Sequence, residues 1–255
     1  MLNKIRKYKF LFEELVKRDF KKKYKRTVLG ILWSLLSPLL TLLVMRIVFT
    51  EFFGRTTNHY TTYLFAGTLV FSYFSDATNQ GMSSLVDNAG IFTKVNVPKY
   101  LFLLSKNVSS LINFGLTFLV FLGFCLLDGI AFHWKFLLLV YPIVCLVFFN
   151  IGVGSILSAL YVFFKDIQYL YSIFTLMLMY LSAIFYNINA YEPTVQKLFL
   201  LNPIYVYISY FRTIVINNAI PDLVTHLLSF GYAFAVLLIG ARMYKKHNQK
   251  FLYYL

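Results

Sequence analysis

The chain has 255 residues, of which 59% are hydrophobic and only 13% are charged, and its formal net charge is +14. Soluble domains carry roughly 25% charged residues, so the composition excludes an ordinary soluble protein. Cys125 and Cys145 both lie inside apolar runs, where cysteines are typical of small core residues and not of a disulfide or metal pair.

The first predicted element is an amphipathic helix within residues 8–24. An apolar side chain recurs at every fourth position of this segment, at Phe12, Val16, Phe20 and Tyr24. This spacing places them on one helical face, with lysines on another, as in helices that lie flat in the membrane interface. Residues 1–28 are therefore predicted to be a cytoplasmic interface segment. A solvated helix with a modest apolar stripe is the alternative.

Residues 29–243 contain the windows that predict membrane spans, each of which needs about 20 apolar residues. Six windows qualify or nearly do: Leu29–Thr50, Tyr60–Gln80, Asn107–Leu127, Phe136–Tyr161, Ile167–Tyr186 and Leu223–Met243. Backbone polar groups must be paired inside lipid, so these windows are predicted to be helices. The predicted fold is an all-α integral membrane protein with six transmembrane helices, followed by a cytoplasmic tail over residues 244–255.

The distribution of Lys and Arg predicts the orientation. Nineteen of these residues flank the windows on the side of the N-terminus and four on the other side, with Arg46 inside the first window. An excess of Lys and Arg marks the cytoplasmic side. Both termini are therefore predicted to be cytoplasmic, and the net charge is explained without nucleic-acid binding.

The segment between the fifth and sixth windows predicts short helices that do not cross the membrane. Asn202-Pro203 is a typical helix start, with Asn as cap and Pro in the first turn, and it opens the apolar run Ile204–Ile216. Glu192-Pro193 predicts a second short helix ending near Leu201. Both are predicted to be re-entrant or interfacial. A packed outer cap with no role in transport is the alternative.

Several chemistries have no sequence support. No Gly is followed by Lys, so the chain lacks a phosphate-binding loop of the G-K-[ST] type. The histidines and acidic residues do not follow a metal-binding or proton-relay spacing. Asp76 lies in a polar half-helix with Asn79, which predicts a partner helix or a watery cavity. The chain is therefore predicted to be no enzyme and to hold no cofactor.

Four blocks carry a resemblance to a known family. They read RDFKKKYKRTVLGILWSLLSP (Arg18–Pro38), FSYFSDATNQGMSSLVDNAGIFTKVNVPK (Phe71–Lys99), YVFFKDI (Tyr161–Ile167) and LNPIYVYISYFR (Leu201–Arg212). Together and in this order they resemble the permease subunits of ABC-2 type polysaccharide exporters, which export O-antigen, capsule, rhamnan or teichoic acid. Lys23 stands where that family usually has Arg.

The resemblance implies a transport subunit of the plasma (inner) membrane that works as a dimer. A separate ATP-binding subunit, in a 2:2 complex, would bind ATP and Mg²⁺, and the substrate would be a lipid-linked glycan. The implied contacts to the ATP-binding subunit lie after the second span and after the fourth: Asn88, Phe92, Lys94, Val95, Val97, Pro98, Lys99, Lys165 and Asp166.

Aromatic faces suit sugars, which predicts a translocation path with aromatic side chains. The candidate residues of this path are Asp76, Asn79, Phe52, Phe53, Tyr205, Tyr207, Tyr210 and Phe211. Membrane-interface belts also use aromatic residues. Three other functions stay open at this point: an ABC-2 permease for a lipid or drug, a solitary carrier or channel, and a membrane-embedded transferase.

Overall fold

The computed structural model describes residues 2–24, 27–53, 59–92, 94–95, 97–188, 191–247, 250–252 and 254, without the side chains of residues 2–7, 24, 31, 49–53, 92 and 252. The regular structure of these residues is helical. The α-helices are α1 (Leu2–Tyr24), α2 (Trp33–Phe53), α3 (Tyr60–Ser83), α4 (Ala89–Phe92), α5 (Tyr100–Leu127), α6 (Val140–Phe163), α7 (Ile167–Leu181), α8 (Pro193–Phe199), α9 (Pro203–Val215) and α10 (Leu223–His247).

Within the described residues, three helical segments are long and apolar enough to cross a membrane: Tyr100–Leu127, Trp134–Phe163 and Leu223–His247. Helices α8 and α9 together would make a fourth, but they are bent by 107° at the break between them. The apolar parts of α2 and α7 are shorter, and the second half of α3 is rich in Ser, Thr, Asn and Gln. The all-helical membrane fold is confirmed, whereas the number of six spans stays a prediction.

Helix α3 is the centre of the bundle, because it packs against α2, α5, α6 and α9. Its buried residues run from Tyr60 to Met82. The Phe65 ring packs edge-on against Phe121 and Phe124, with centroids 5.4 and 5.5 Å away. Such packing holds helices together where lipid removes most of the hydrophobic driving force.

Helices α6 and α10 approach each other at two glycines. A Cβ atom at Gly152 would lie 2.6 Å from the backbone nitrogen of Leu237, and one at Gly240 would lie 2.6 Å from the carbonyl oxygen of Gly152. Only glycine permits this distance. The close contact is typical of membrane helices that pack through small residues.

Helix α7 ends earlier than predicted. The sequence window runs to Tyr186, but the helix ends at Leu181 and Ala183 has a left-handed backbone with φ 50°. A helix of 15 residues is about 22 Å long, which is shorter than the hydrocarbon layer of about 30 Å. The predicted window is therefore five residues longer than the helix, and whether α7 spans the membrane stays a prediction.

Helix α1 confirms the helix predicted within residues 8–24, although its packed face differs from the predicted stripe. Leu15 is the most buried apolar residue of that face, and it packs in a cluster with Leu85, Phe102 and Phe251. Phe12, Val16 and Phe20 are half-buried beside it, and the side chain of Tyr24 lies outside the described residues. This cluster defines the α1 end of the bundle. At the same end, α10 continues to His247, beyond the predicted boundary at residue 243.

Candidate functional site

A buried ionic network joins α1 to the start of α5. The carboxylate of Asp19 is 2% exposed and accepts a hydrogen bond of 2.8 Å from Nη2 of Arg18. The ammonium of Lys106 lies 3.8 Å from the same carboxylate and donates to Asp87 at 3.1 Å. Buried charges persist when they are paired in this way.

The same network includes the segment that follows α3. Nη2 of Arg18 donates to Oδ1 of Asn88 at 2.7 Å, and Nδ2 of Asn88 donates to the carbonyl of Ser84 at 2.8 Å. Asn88 is 1% exposed, so its amide makes these hydrogen bonds inside the protein. Helix α1, this segment and α5 are thereby tied together by hydrogen bonds to charged groups.

The residues after α3 with an implied role in ATPase contact differ in their exposure. Lys94 and Val95 are exposed, whereas Asn88 and Val97 are buried, and Pro98 and Lys99 are half-buried. The ammonium of Lys99 lies 5.6 Å above the Phe251 ring, and burial lowers the pKa of this ammonium. The side chain of Phe92 lies outside the described residues. The segment thus has an exposed tip and an anchored base.

A second exposed surface lies between α6 and α7, at the same end of the bundle. Phe164, Lys165 and Asp166 are all exposed. The ammonium of Lys165 lies 4.8 Å from the centre of the Tyr161 ring, which is a cation–π distance. Lys165 and Asp166 are therefore free to meet a partner without disturbing the core.

A cavity of about 630 Å³ lies between α2, α3 and α5. Hydroxyl groups from all three helices line it: Ser34, Ser37 and Thr41 of α2, Thr68 and Ser72 of α3, and Ser110 and Thr117 of α5. The residues from each helix are three, four or seven apart, so each helix presents one polar face. The aromatic residues Trp33, Phe65, Tyr73 and Phe114 complete the wall.

The charged groups of the cavity are paired with each other. The ammonium of Lys23, in the last turn of α1, lies 3.2 Å from both carboxylate oxygens of Asp76 in α3. Asp76 therefore faces a cavity, which is one of the two surroundings expected for it. Asn79 is not among the residues that line the cavity, and its amide donates to the carbonyl of Ser75 at 2.7 Å.

Four of the aromatic candidates for the translocation path are packed inside the bundle. Tyr207, Tyr210 and Phe211 are 0% exposed and Tyr205 is 9% exposed. The Tyr207 hydroxyl donates to the carbonyl of Ser229 at 2.8 Å, and the Tyr210 hydroxyl lies 2.8 Å from Nε2 of His226. In this conformation α9 anchors the end of the bundle opposite α1. The side chains of Phe52 and Phe53 lie outside the described residues.

Arg212 is the most constrained charged residue at that opposite end. Its guanidinium donates to the carbonyls of Tyr63 at 3.1 Å, Ala183 at 2.8 Å and Ile184 at 2.9 Å. Two of these carbonyls belong to the unwound chain after α7, where they lack helical partners. Sequence reasoning counted Arg212 only as a flanking charge, although an arginine inside the apolar run of α9 was a usable signal.

The fold and these sites define a multi-pass helical membrane protein with exposed, anchored segments at one end. The family model of the ABC-2 type transporter matches residues 11–216. The chain belongs to the ABC-2 type transporter family.

Its relatives match over nearly their whole length. The chain is 25% identical to an O-antigen export system permease protein of Myxococcus xanthus, over 98% of this chain and 97% of that protein. It is also 25% identical to an O-antigen export system permease protein of Klebsiella pneumoniae, over 95% of each. It is 22% identical to the polysialic acid transport protein of Escherichia coli, over 96% of each.

Proposed function

We propose that this chain is the permease subunit of an ATP-driven exporter that moves a lipid-linked polysaccharide or cell-wall glycopolymer out of the cytoplasm. The observation that carries the proposal is the near full-length match to permeases named for O-antigen export and polysialic acid transport. The absence of a phosphate-binding loop in the sequence fits a chain that leaves ATP hydrolysis to another subunit.

The subunit spans the inner membrane six times, with both termini in the cytoplasm. In this arrangement α2, α3, α5, the Trp134–Phe163 segment, α7 and α10 are the spans, and α8 and α9 form a re-entrant pair on the outer side. The unwound chain after α7 fits this arrangement because Arg212 pairs its carbonyls, and non-helical backbone is tolerated at membrane depth only when buried in protein. Helix α1 lies at the cytoplasmic interface with lipid headgroups.

A separate ATP-binding subunit, which binds ATP and Mg²⁺, docks on the cytoplasmic end in a 2:2 complex. Its contacts are the exposed residues Lys94, Val95, Lys165 and Asp166. Buried Asn88 and Val97 anchor the segment that carries Lys94 and Val95 to the bundle. A movement of this segment is therefore transmitted to α1 and α5 through Asp19 and Lys106. Closure of the ATP-bound partner then shifts the permease from one conformation to the other. The size of this shift is set by the difference in the partner's affinity for the two conformations.

The complex contains a second copy of this chain. Helix α7 supports this assignment, because most of its apolar side chains are exposed and in the described residues only Tyr171 and Thr175 are buried. Lipid or a second subunit must cover this face. We assign no nucleic-acid partner.

The proposal is tested by co-expressing the tagged chain with a candidate ATP-binding subunit and measuring ATPase activity of the purified pair in lipid nanodiscs. Lys94→Glu and Val95→Asp are expected to weaken co-purification and to change ATPase activity, since they alter the exposed tip. Lys197→Glu is the matched control, because Lys197 is an exposed lysine in α8 at the opposite end. If no ATP-binding subunit co-purifies, or if Lys197→Glu acts like Lys94→Glu, the docking assignment is wrong.

A further inference from the structure

We propose that the cavity between α2, α3 and α5 binds a neutral sugar unit of the exported glycan within a single subunit. The inference rests on the proposed function and adds a substrate site that does not require the second subunit. Its basis is the cavity's construction: the three helices α2, α3 and α5 each direct a hydroxyl-bearing face into one space.

The lining fits sugar hydroxyls. Each Ser or Thr hydroxyl has one donor and two acceptor sites. Thr68 donates to its own helix at Leu64 and Thr117 does the same at Asn113, and this leaves their oxygens able to accept from a ligand. Ser37, Thr41 and Ser72 are exposed within the lining. A hydrocarbon tail would offer no hydrogen-bond partner to the hydroxyls of Ser37, Thr41 and Ser72.

The aromatic residues fit the apolar face of a sugar ring. Trp33 is 40% exposed and lines the cavity together with Phe114 and Tyr73. The Phe114 and Tyr73 rings lie 4.7 Å apart, tilted by 35°, and both are nearly buried, so they form an apolar floor behind the more exposed Trp33 ring. A few polar groups set against apolar and aromatic walls are the usual composition of a small-molecule site.

The charge balance favours a neutral ligand over a phosphate. Among the described residues that line the cavity, the charged ones are Lys23 and Asp76, and they neutralise each other at 3.2 Å. In this described part of the lining, an anion would meet the Asp76 carboxylate, and the Lys23 ammonium is already paired with that carboxylate. A sugar hydroxyl can instead donate to the carboxylate, which accepts several hydrogen bonds.

The dimensions also fit. From Phe65 to Asp76 the cavity follows α3 for about 16 Å at the helical rise of about 1.5 Å per residue. Its volume of about 630 Å³ lies inside the range of roughly 300–1,000 Å³ that is typical of ligand sites. The space therefore accommodates sugar units of a chain but excludes a folded polymer.

The test is photo-cross-linking in cells that synthesise the glycan and carry the ATP-binding subunit. p-Benzoylphenylalanine replaces Trp33 in one strain and Phe114 in another, and Trp134 serves as the matched control because it is the other tryptophan and is exposed at the opposite end of the bundle. After illumination, the tagged protein is purified, probed with an antibody against the glycan, and analysed by mass spectrometry. Export of the glycan to the cell surface is measured in the same strains.

We expect glycan adducts at Trp33 and Phe114 and none at Trp134. Ser72→Trp fills the cavity from an exposed position and is expected to lower adduct formation by about tenfold or more. Leu119→Trp, on the exposed face of α5, leaves it unchanged. Adducts only with phospholipid, or only with a second copy of the chain, would overturn the proposal. If the glycan is exported but forms no adducts, this site is refuted and the proposed function stands. If cells with the unsubstituted chain do not export the glycan, the proposed function itself is refuted.

Discussion

The guanidinium carbon of Arg212 lies 3.4 Å from the centre of the Tyr63 ring. The same guanidinium donates to the backbone carbonyl of Tyr63 and to those of Ala183 and Ile184. One buried side chain of α9 therefore holds the first turn of α3 and the unwound end of α7 in a fixed relation. Arginine is suited to this role because its planar fork presents five donors.

We expect Arg212→Lys to destabilise the protein by about 3 kcal/mol. The ammonium of lysine cannot reach all three carbonyls or stack on the ring, and a buried charge then lacks compensation. The measurement is denaturant unfolding of the purified protein in detergent. Lys197→Gln is the control, since this exposed side chain should have little effect. Equal stability of Arg212→Lys and the unsubstituted protein would show that the contacts of the Arg212 guanidinium contribute nothing to the free energy of unfolding.

Gly152→Ala is expected to destabilise the contact between α6 and α10 by about 2 kcal/mol or more. The new Cβ would lie 2.6 Å from the backbone nitrogen of Leu237, and backbone atoms cannot turn away as a side chain does. Gly115→Ala is the matched control, because an added Cβ meets nothing within 4 Å there, and alanine favours the helix by up to about 1 kcal/mol. Thermal unfolding of the two variants should shift in opposite directions. The packing account fails if both shift alike.

The pair Asp19–Lys106 should be energetically coupled. Asp19→Asn is expected to cost about 2 kcal/mol, since the buried Lys106 keeps its charge and loses the negative charge of one carboxylate partner. Combining it with Lys106→Met should cost less than the sum of the single changes, as expected for residues in one network. The check is a double-mutant cycle on unfolding free energy. Additive effects would show that the two residues do not interact.

A control for this cycle is available on the same helix. Glu14 pairs with Lys17 at 2.8 Å, but both side chains are about half exposed or more. Because water and salt screen exposed pairs, Glu14→Ala should leave the unfolding transition nearly unchanged. If Glu14→Ala lowers the unfolding free energy as much as Asp19→Asn does, any change of charge on α1 destabilises the protein and the buried pair has no special role.

The sequence was sufficient for the elements that depend on local rules. Asn202 caps α9 with its side-chain oxygen 3.0 Å from the nitrogen of Ile204, as the Asn-Pro pair predicts. The apolar windows also place α5, α6 and α10 correctly, because lipid selects for long apolar helices. The helix predicted within residues 8–24 is present for the same kind of reason.

Long-range contacts explain what the sequence could not predict. Helix α7 ends at Leu181, and Arg212 binds the carbonyls of Ala183 and Ile184 that follow it; no local pattern reports that contact. The aromatic side chains of Tyr207 and Phe211 suit a translocation path and a packed core equally well, so the sequence alone does not distinguish the two locations. The cavity was signalled only in part, through the polar run around Asp76, because the hydroxyls of α2 and α5 join it only after the helices pack.

The most direct test of the central claim is transport by purified components. The chain and its ATP-binding subunit are reconstituted into vesicles with the lipid-linked glycan, and the glycan that becomes accessible across the membrane is measured after ATP is added on the side of the ATP-binding subunit. We predict ATP-dependent translocation that requires both proteins and is reduced by Lys94→Glu but not by Lys197→Glu. Translocation by this chain alone, or without ATP, would contradict the account.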